Sequence, residues 1–149
     1  MAKQERLDDF LPYLMNRLVA RMNQNLGDEL RKRGHTFQDW RILAVLAAHD
    51  DVNLTELAEA TVIPQPSVSR LVARLGRKGL LERRNGAKDS RFVQVRITPR
   101  GREVYARMRM PALAEYRAAL KGFSAPESAA LRASLMRMMK NRKVTLLPK

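Results

Sequence analysis

Leu7, Leu11, Leu14, Leu18, Met22, Leu26 and Leu30 recur at steps of three and four residues. That is the apolar stripe of one long amphipathic helix, and the spacing predicts it up to about Gly34. Pro12 lies inside the pattern, so the helix proper either starts there or has bent first turns. Phe37 to Ala48 predicts a second helix with Trp40, Leu43, Ala44 and Leu46 turned inward, and Asp50-Asp51 breaks it. Asn53 stands three residues before Glu56, the spacing of a capping box, and opens a short third helix. Pro64 and Pro66 flank the start of a fourth, where the first N–H groups have no intrahelical partner to lose. Lys78-Gly79 ends it, with glycine supplying the left-handed turn.

The period then changes. Leu80 to Arg84 and Phe92 to Ile97 read as two strands joined by Asn85 to Arg91. Phe92, Gln94 and Arg96 alternate with Val93, Val95 and Ile97, the period of a half-buried strand. Thr98-Pro99 caps a fifth helix that runs to about Lys121, and Pro111 in its middle is expected to kink it. Ser124 to Glu127 is a second capping box. The last helix carries Leu131, Leu135, Met136, Met138 and Met139, and its methionines are expected in core or dimer packing.

The expected fold is therefore mainly α with a small β-hairpin. The stripe of the first helix and those of the last two leave an apolar surface that a homodimer would cover. Residues 37–98 are expected to form one lobe, and residues 7–34 and 99–142 the dimerisation helices of a single chain.

Charge gives this architecture a purpose. The 149 residues contain 29 Lys and Arg against 15 Asp and Glu, a net charge of +14. Such an excess attracts polyanions, above all nucleic acid. Residues 65–102 hold eleven basic and two acidic side chains, whereas residues 1–50 hold eight and seven. The positive charge thus peaks on the fourth helix and the hairpin. A further ten basic against three acidic residues lie in 103–149, and base reading does not account for them.

The stretch from Leu54 to Leu75 reads as two short helices with a tight connection. Its second helix faces outward with Ser67, Ser69, Arg70 and Arg74. Short hydroxyls let a helix approach bases, and arginine can contact guanine through two hydrogen bonds or neutralise a phosphate. With the basic hairpin behind it, the unit looks like a winged helix-turn-helix. The candidate contacts to double-stranded DNA are Gln65, Ser67, Ser69, Arg70, Arg74, Arg84, Lys88 and Arg91, with Lys88 at the wing tip attracting phosphate.

Other chemistry finds little support. The chain has no cysteine, which removes disulfides, thiolate metal sites and cysteine-based redox sensing. His35 and His49 read as polar helix ends, so no metal or other cofactor is expected. There is no glycine-rich phosphate loop and no nucleophile constellation, so no enzyme is expected. The N-terminus MAKQERLDDF is mixed in charge and no apolar run approaches membrane-spanning length, so a cytoplasmic protein without a membrane partner is expected. The competing function is a basic DNA-architectural protein that binds without sequence preference or effector.

The segment Asp89 to Gly101, DSRFVQVRITPRG, sharpens this reading. Asp89, Arg91, Val93, Val95, Ile97, Thr98 and Gly101 fall in the pattern of a wing and its following strand. Together with Trp40-Arg41-Ile42-Leu43 and Gly79-Leu80-Leu81-Glu82-Arg83, the chain resembles the MarR family of bacterial transcriptional regulators over nearly its whole length. The resemblance implies a dimeric winged-helix repressor on a near-palindromic operator. It also implies that Arg91 enters the minor groove, where arginine suits a narrow, strongly negative cleft. Asp89 would hold an arginine of the recognition helix, Arg74 being the candidate. In similar proteins small aromatic acids bind between the dimer helices and the DNA-binding lobe. For a small aromatic or acyl acid this sequence offers Arg17, Arg21 and Trp40. Val62 departs from the family, which often has glycine there. A β-branched residue is penalised at positive φ, so the turn is expected to close differently.

Overall fold

The computed structural model describes residues 6–85 and 93–147. After a 3-10 turn at Leu7–Asp9 come α1 (Leu11–Arg31), α2 (Phe37–Ala48), β1 (Val52–Asn53), α3 (Leu54–Thr61) and α4 (Gln65–Arg77). They are followed by β2 (Leu81–Asn85), β3 (Val93–Ile97), α5 (Pro99–Ala119) and α6 (Ala125–Asn141). The mainly α architecture with a small wing is as the sequence predicts.

Local chemistry sets most boundaries. Pro12 lies in the first turn of α1, so the helix proper begins there and the preceding residues take a tighter turn. Thr36 with Asp39, Asn53 with Glu56 and Ser124 with Glu127 each form a reciprocal capping box. Thr98 caps α5 by accepting from the Gly101 N–H. α5 continues as a helix through Pro111.

One strand was not foreseen. β1 is only two residues long and exists by pairing, with Val52 opposite Val95 and Asn53 opposite Gln94. The antiparallel sheet has the order β1-β3-β2, and Leu81 faces Ile97 at the base of the wing. Asp51, just before β1, takes Arg96 of β3 in an ion pair that fixes this corner.

The core lies between α2, α3, α4, the sheet and the inner ends of α1 and α5. Leu30, Ile42, Leu43, Leu46, Leu57, Val68, Leu75, Val95 and Met108 are all but inaccessible to solvent. The inner face of α2 is carried by Ile42 as well as Leu43 and Leu46, whereas Trp40 and Ala44 are half-buried. Gly101 is required by close approach. A Cβ there would stand 2.1 Å from the carbonyl oxygen of Leu80.

The turn between α3 and α4 corrects the sequence-based expectation. Val62 does adopt the left-handed conformation, at φ 54° and ψ 40°. Compensation comes from the helix end it closes. The Ile63 N–H donates to Ala58 O at 3.2 Å, and the Ile63 side chain is buried. This is the bonding of a left-handed helix terminus, which glycine would make without strain.

α1 changes character along its length. Leu26 and Leu30 are buried in the core, while Leu11, Leu14 and Leu18 of the same stripe are exposed. Leu131, Leu135, Met136 and Met138 of α6 are exposed too.

Candidate nucleic-acid interface

α4 has two unlike faces. Leu71 and Val72 follow Val68 by three and four residues, Leu75 follows them by four and three, and all are buried. The helix is thereby held rigidly against the lobe, with its polar side outward. Ser67, Arg70, Arg74 and Arg77 line an open groove of about 610 Å³ there, and Gln38 of α2 forms its opposite edge. Gln65 is the first residue of the helix and is exposed. Pro64 and Pro66 bracket it, and no side chain caps this terminus. The positive end of the helix dipole is therefore open to an anion.

The candidates differ in how tightly they are held. Ser67 and Ser69 are half-buried, as short side chains on a closely approaching helix should be. Arg70 is exposed, and its Nε donates weakly to Pro66 O at 3.4 Å on its own helix. Arg84 lies at the outer end of β2 and pairs with Glu82 at 2.9 Å. Lys88, Asp89 and Arg91 lie outside the described residues.

Arg74 has a partner that the sequence did not reveal. Its Nη2 donates to Oδ1 of Asp39, whose side chain is only 1% exposed while that of Arg74 is 35% exposed. Asp89, the partner that the resemblance implied, lies outside the described residues. Asp39 reaches Arg74 because α2 meets α4 at this point, 35 residues away in sequence. Gln38 and Arg77 also line the groove and were not among the candidates. Arg77 was legible, since it follows Arg70 by seven residues and shares its helical face. Gln38 and Asp39 were not, because their place depends on tertiary packing.

The residues proposed for an effector each take other partners. Arg17 donates to the Tyr13 hydroxyl at 3.0 Å, and Arg21 reaches Gln24 at 3.5 Å, each on its own helix. Trp40 stacks instead on Tyr105 of α5. Among the described residues no cluster of His, Cys, Asp and Glu could hold a metal ion. No described helix is long and apolar enough to cross a membrane.

Comparison with known proteins decides what this arrangement is. The family model described as MarR family matches residues 33–91, from the entry to α2 into the wing. A MarR-family transcriptional regulator of Silicibacter pomeroyi, of known structure, is 32% identical. It covers 95% of this chain and 96% of its own, with a TM-score of 0.87. The chain belongs to the MarR family.

It is accordingly a DNA-binding transcriptional regulator, and its relatives are regulators rather than enzymes. The transcriptional repressor IacR of Pseudomonas putida is 26% identical over 119 residues, 80% of this chain and 71% of that protein. BpsR of Bordetella bronchiseptica, whose DNA binding is regulated by 6-hydroxynicotinic acid, is 23% identical. It shares the fold at a TM-score of 0.78 over 91% of this chain and 97% of its own.

Proposed function

We propose that this MarR-family chain is a homodimeric repressor of a near-palindromic operator, released by a small aromatic or acyl acid. The observation that carries the reading is the groove on α4, where Ser67, Arg70, Arg74 and Arg77 stand together on a helix whose other face is locked in the core. In this reading α4 enters the major groove, with Gln65, Ser67, Ser69 and Arg70 toward base edges and Arg74 and Arg77 toward bases or backbone. Arg84 and Lys88 attract phosphate, and Arg91 enters the minor groove beyond the wing.

The dimer reading is supported by the apolar residues left bare on α1 and α6. Leu14 and Leu18 on one, and Leu131 and Leu135 on the other, are large aliphatic groups in water. In a twofold arrangement that covers them, the two α4 helices would have to stand about one DNA turn, ~34–36 Å, apart to enter successive major grooves. The effector reading takes its support from the fold shared with BpsR. It also draws on the position of the Trp40–Tyr105 stack, where the lobe meets α5. A ligand wedged at that joint would release the DNA only by binding the two lobe spacings with different affinity.

The test begins with selection of the operator from random duplexes, followed by titration of aromatic and acyl acids into the complex. Release by at least one acid, and joint loss of dimer and operator binding in Leu14→Asp/Leu135→Asp, are expected. A stable monomer at micromolar concentration would defeat the dimer. A panel of acids that binds without changing DNA affinity would defeat the switch.

A further inference from the structure

Asp39 is a charged side chain in the one place where charge is most costly, the interior beside α4. Both of its oxygens are engaged. Oδ2 accepts the Thr36 N–H at 2.9 Å, which completes the capping box of α2. Oδ1 accepts from Arg74 Nη2. The Thr36 hydroxyl in turn accepts the Asp39 N–H at 3.1 Å, so the carboxylate cannot swing away without opening the start of the helix.

A cap alone does not need this arrangement. Glu56 and Glu127 complete the same box on α3 and α6 without an arginine partner among the described residues. What distinguishes Asp39 is that it grips an arginine of the recognition helix from an adjoining element. Among the described residues one guanidinium nitrogen, Nη2, is taken. Arg74 also lines the groove with Ser67, Arg70 and Arg77.

We infer that Asp39 is a positioning residue for DNA recognition: it fixes the Arg74 guanidinium in the orientation in which its free edge meets the DNA. This rests on the reading of α4 as the DNA-contacting helix. A free arginine must give up several rotatable bonds on binding, and that ordering counts against affinity. Arg74 has given them up already in the fold. The bidentate geometry that makes arginine selective is useful only when the plane of the group is set.

Simple electrostatics makes the opposite prediction. Asp39→Asn removes a negative charge from a protein that binds a polyanion, and so should tighten binding to any DNA. Positioning predicts loss, on the order of tenfold in operator affinity, with the capping role preserved because the asparagine oxygen still accepts the Thr36 N–H.

The experiment is a double-mutant cycle on the selected operator at fixed salt, with Asp39→Asn, Arg74→Ala and the pair. Thermal melting of each variant identifies the folded range in which affinity is read. The expected result is that Asp39→Asn weakens binding in the parent and changes nothing in the Arg74→Ala background. Tighter or unchanged binding by Asp39→Asn, or the same loss with Arg74 already absent, would overturn the inference. Should Asp39→Asn not fold, Arg74→Lys is read instead, since it keeps the charge but not the planar fork. It is expected to lose as much affinity as Arg74→Ala, and parental affinity would overturn the inference. Failure of the interface itself would look different. Arg70→Ala and Arg74→Ala would then both leave operator binding unchanged.

Discussion

Trp40 of α2 stacks on Tyr105 of α5, with ring centroids 5.3 Å apart and planes inclined by 13°. Asp39, its neighbour in sequence, grips Arg74 of α4. The first turn of α2 therefore touches α4 with one residue and α5 with the next. Removing the second ring tests how much that joint contributes. Tyr105→Ala should cost about 1–3 kcal/mol in urea unfolding, from lost aromatic burial and stacking. Trp40 is the single tryptophan, so its emission reports on the stack directly. The maximum should move to longer wavelength in the variant, and an unmoved maximum would show that the ring is shielded by other groups.

Val62 offers a gain rather than a loss. It sits at φ 54° with 78% of its surface exposed, so it has strain to relieve and little burial to forfeit. A β-branched residue in the left-handed region costs roughly 1–3 kcal/mol, partly cancelled in glycine by extra freedom in the unfolded chain. Val62→Gly should raise stability by about 1 kcal/mol, seen as a higher denaturation midpoint at constant m-value.

Gly101 should behave in the opposite way. An alanine Cβ would overlap the Leu80 carbonyl oxygen and stand 2.8 Å from Ile97 Cγ1. Neither the backbone at Leu80 nor the stiff, β-branched side chain of Ile97 yields cheaply. Gly101→Ala should destabilise the lobe by about 1–3 kcal/mol or more, although alanine is the better helix former. Calorimetry would register the loss as a lower melting temperature.

His35 gives stability a pH dependence near neutrality. Burial holds its imidazole below the ordinary value of 6.5, against the pull of the Asp39 carboxylate, and Lys78 and Arg107 lower it further. The folded state therefore resists protonation where the unfolded chain accepts it. The stabilisation from His35 is fully present above 6.5 and is lost as pH falls through the lowered folded value. Replacing His35 with glutamine should flatten the stability profile between about pH 7 and pH 5. A profile as steep as that of the parent would assign the dependence to other groups.

The parts of this fold that were legible in the sequence are those written in local chemistry. Asn53, Thr98 and Ser124 announce helix starts because a short oxygen and an open N–H three residues on are neighbours in any context. Gly79 announces a helix end for the same reason. β1 was not legible, because two residues become a strand only by meeting Val95 and Gln94. The Asp39–Arg74 pair was hidden for the same cause. Val62 was misread because its penalty is local, whereas its compensation, the bond from Ile63 to Ala58 and the burial of Ile63, needs the neighbouring elements in place.

The central claim is that a precisely held α4 reads sequence, and the wing assists it. The direct measurement compares affinity for the selected operator with affinity for a shuffled duplex at the same moderate salt, for the parent, Arg70→Ala and Arg91→Ala. The account predicts a parental preference on the order of a thousandfold or more. It predicts a loss of roughly 1–3 kcal/mol of operator affinity in each variant, largest for Arg91→Ala on sites flanked by A-tracts. Equal affinity for the two duplexes, together with unchanged binding by both variants, would contradict it and leave only the attraction of a basic surface for DNA.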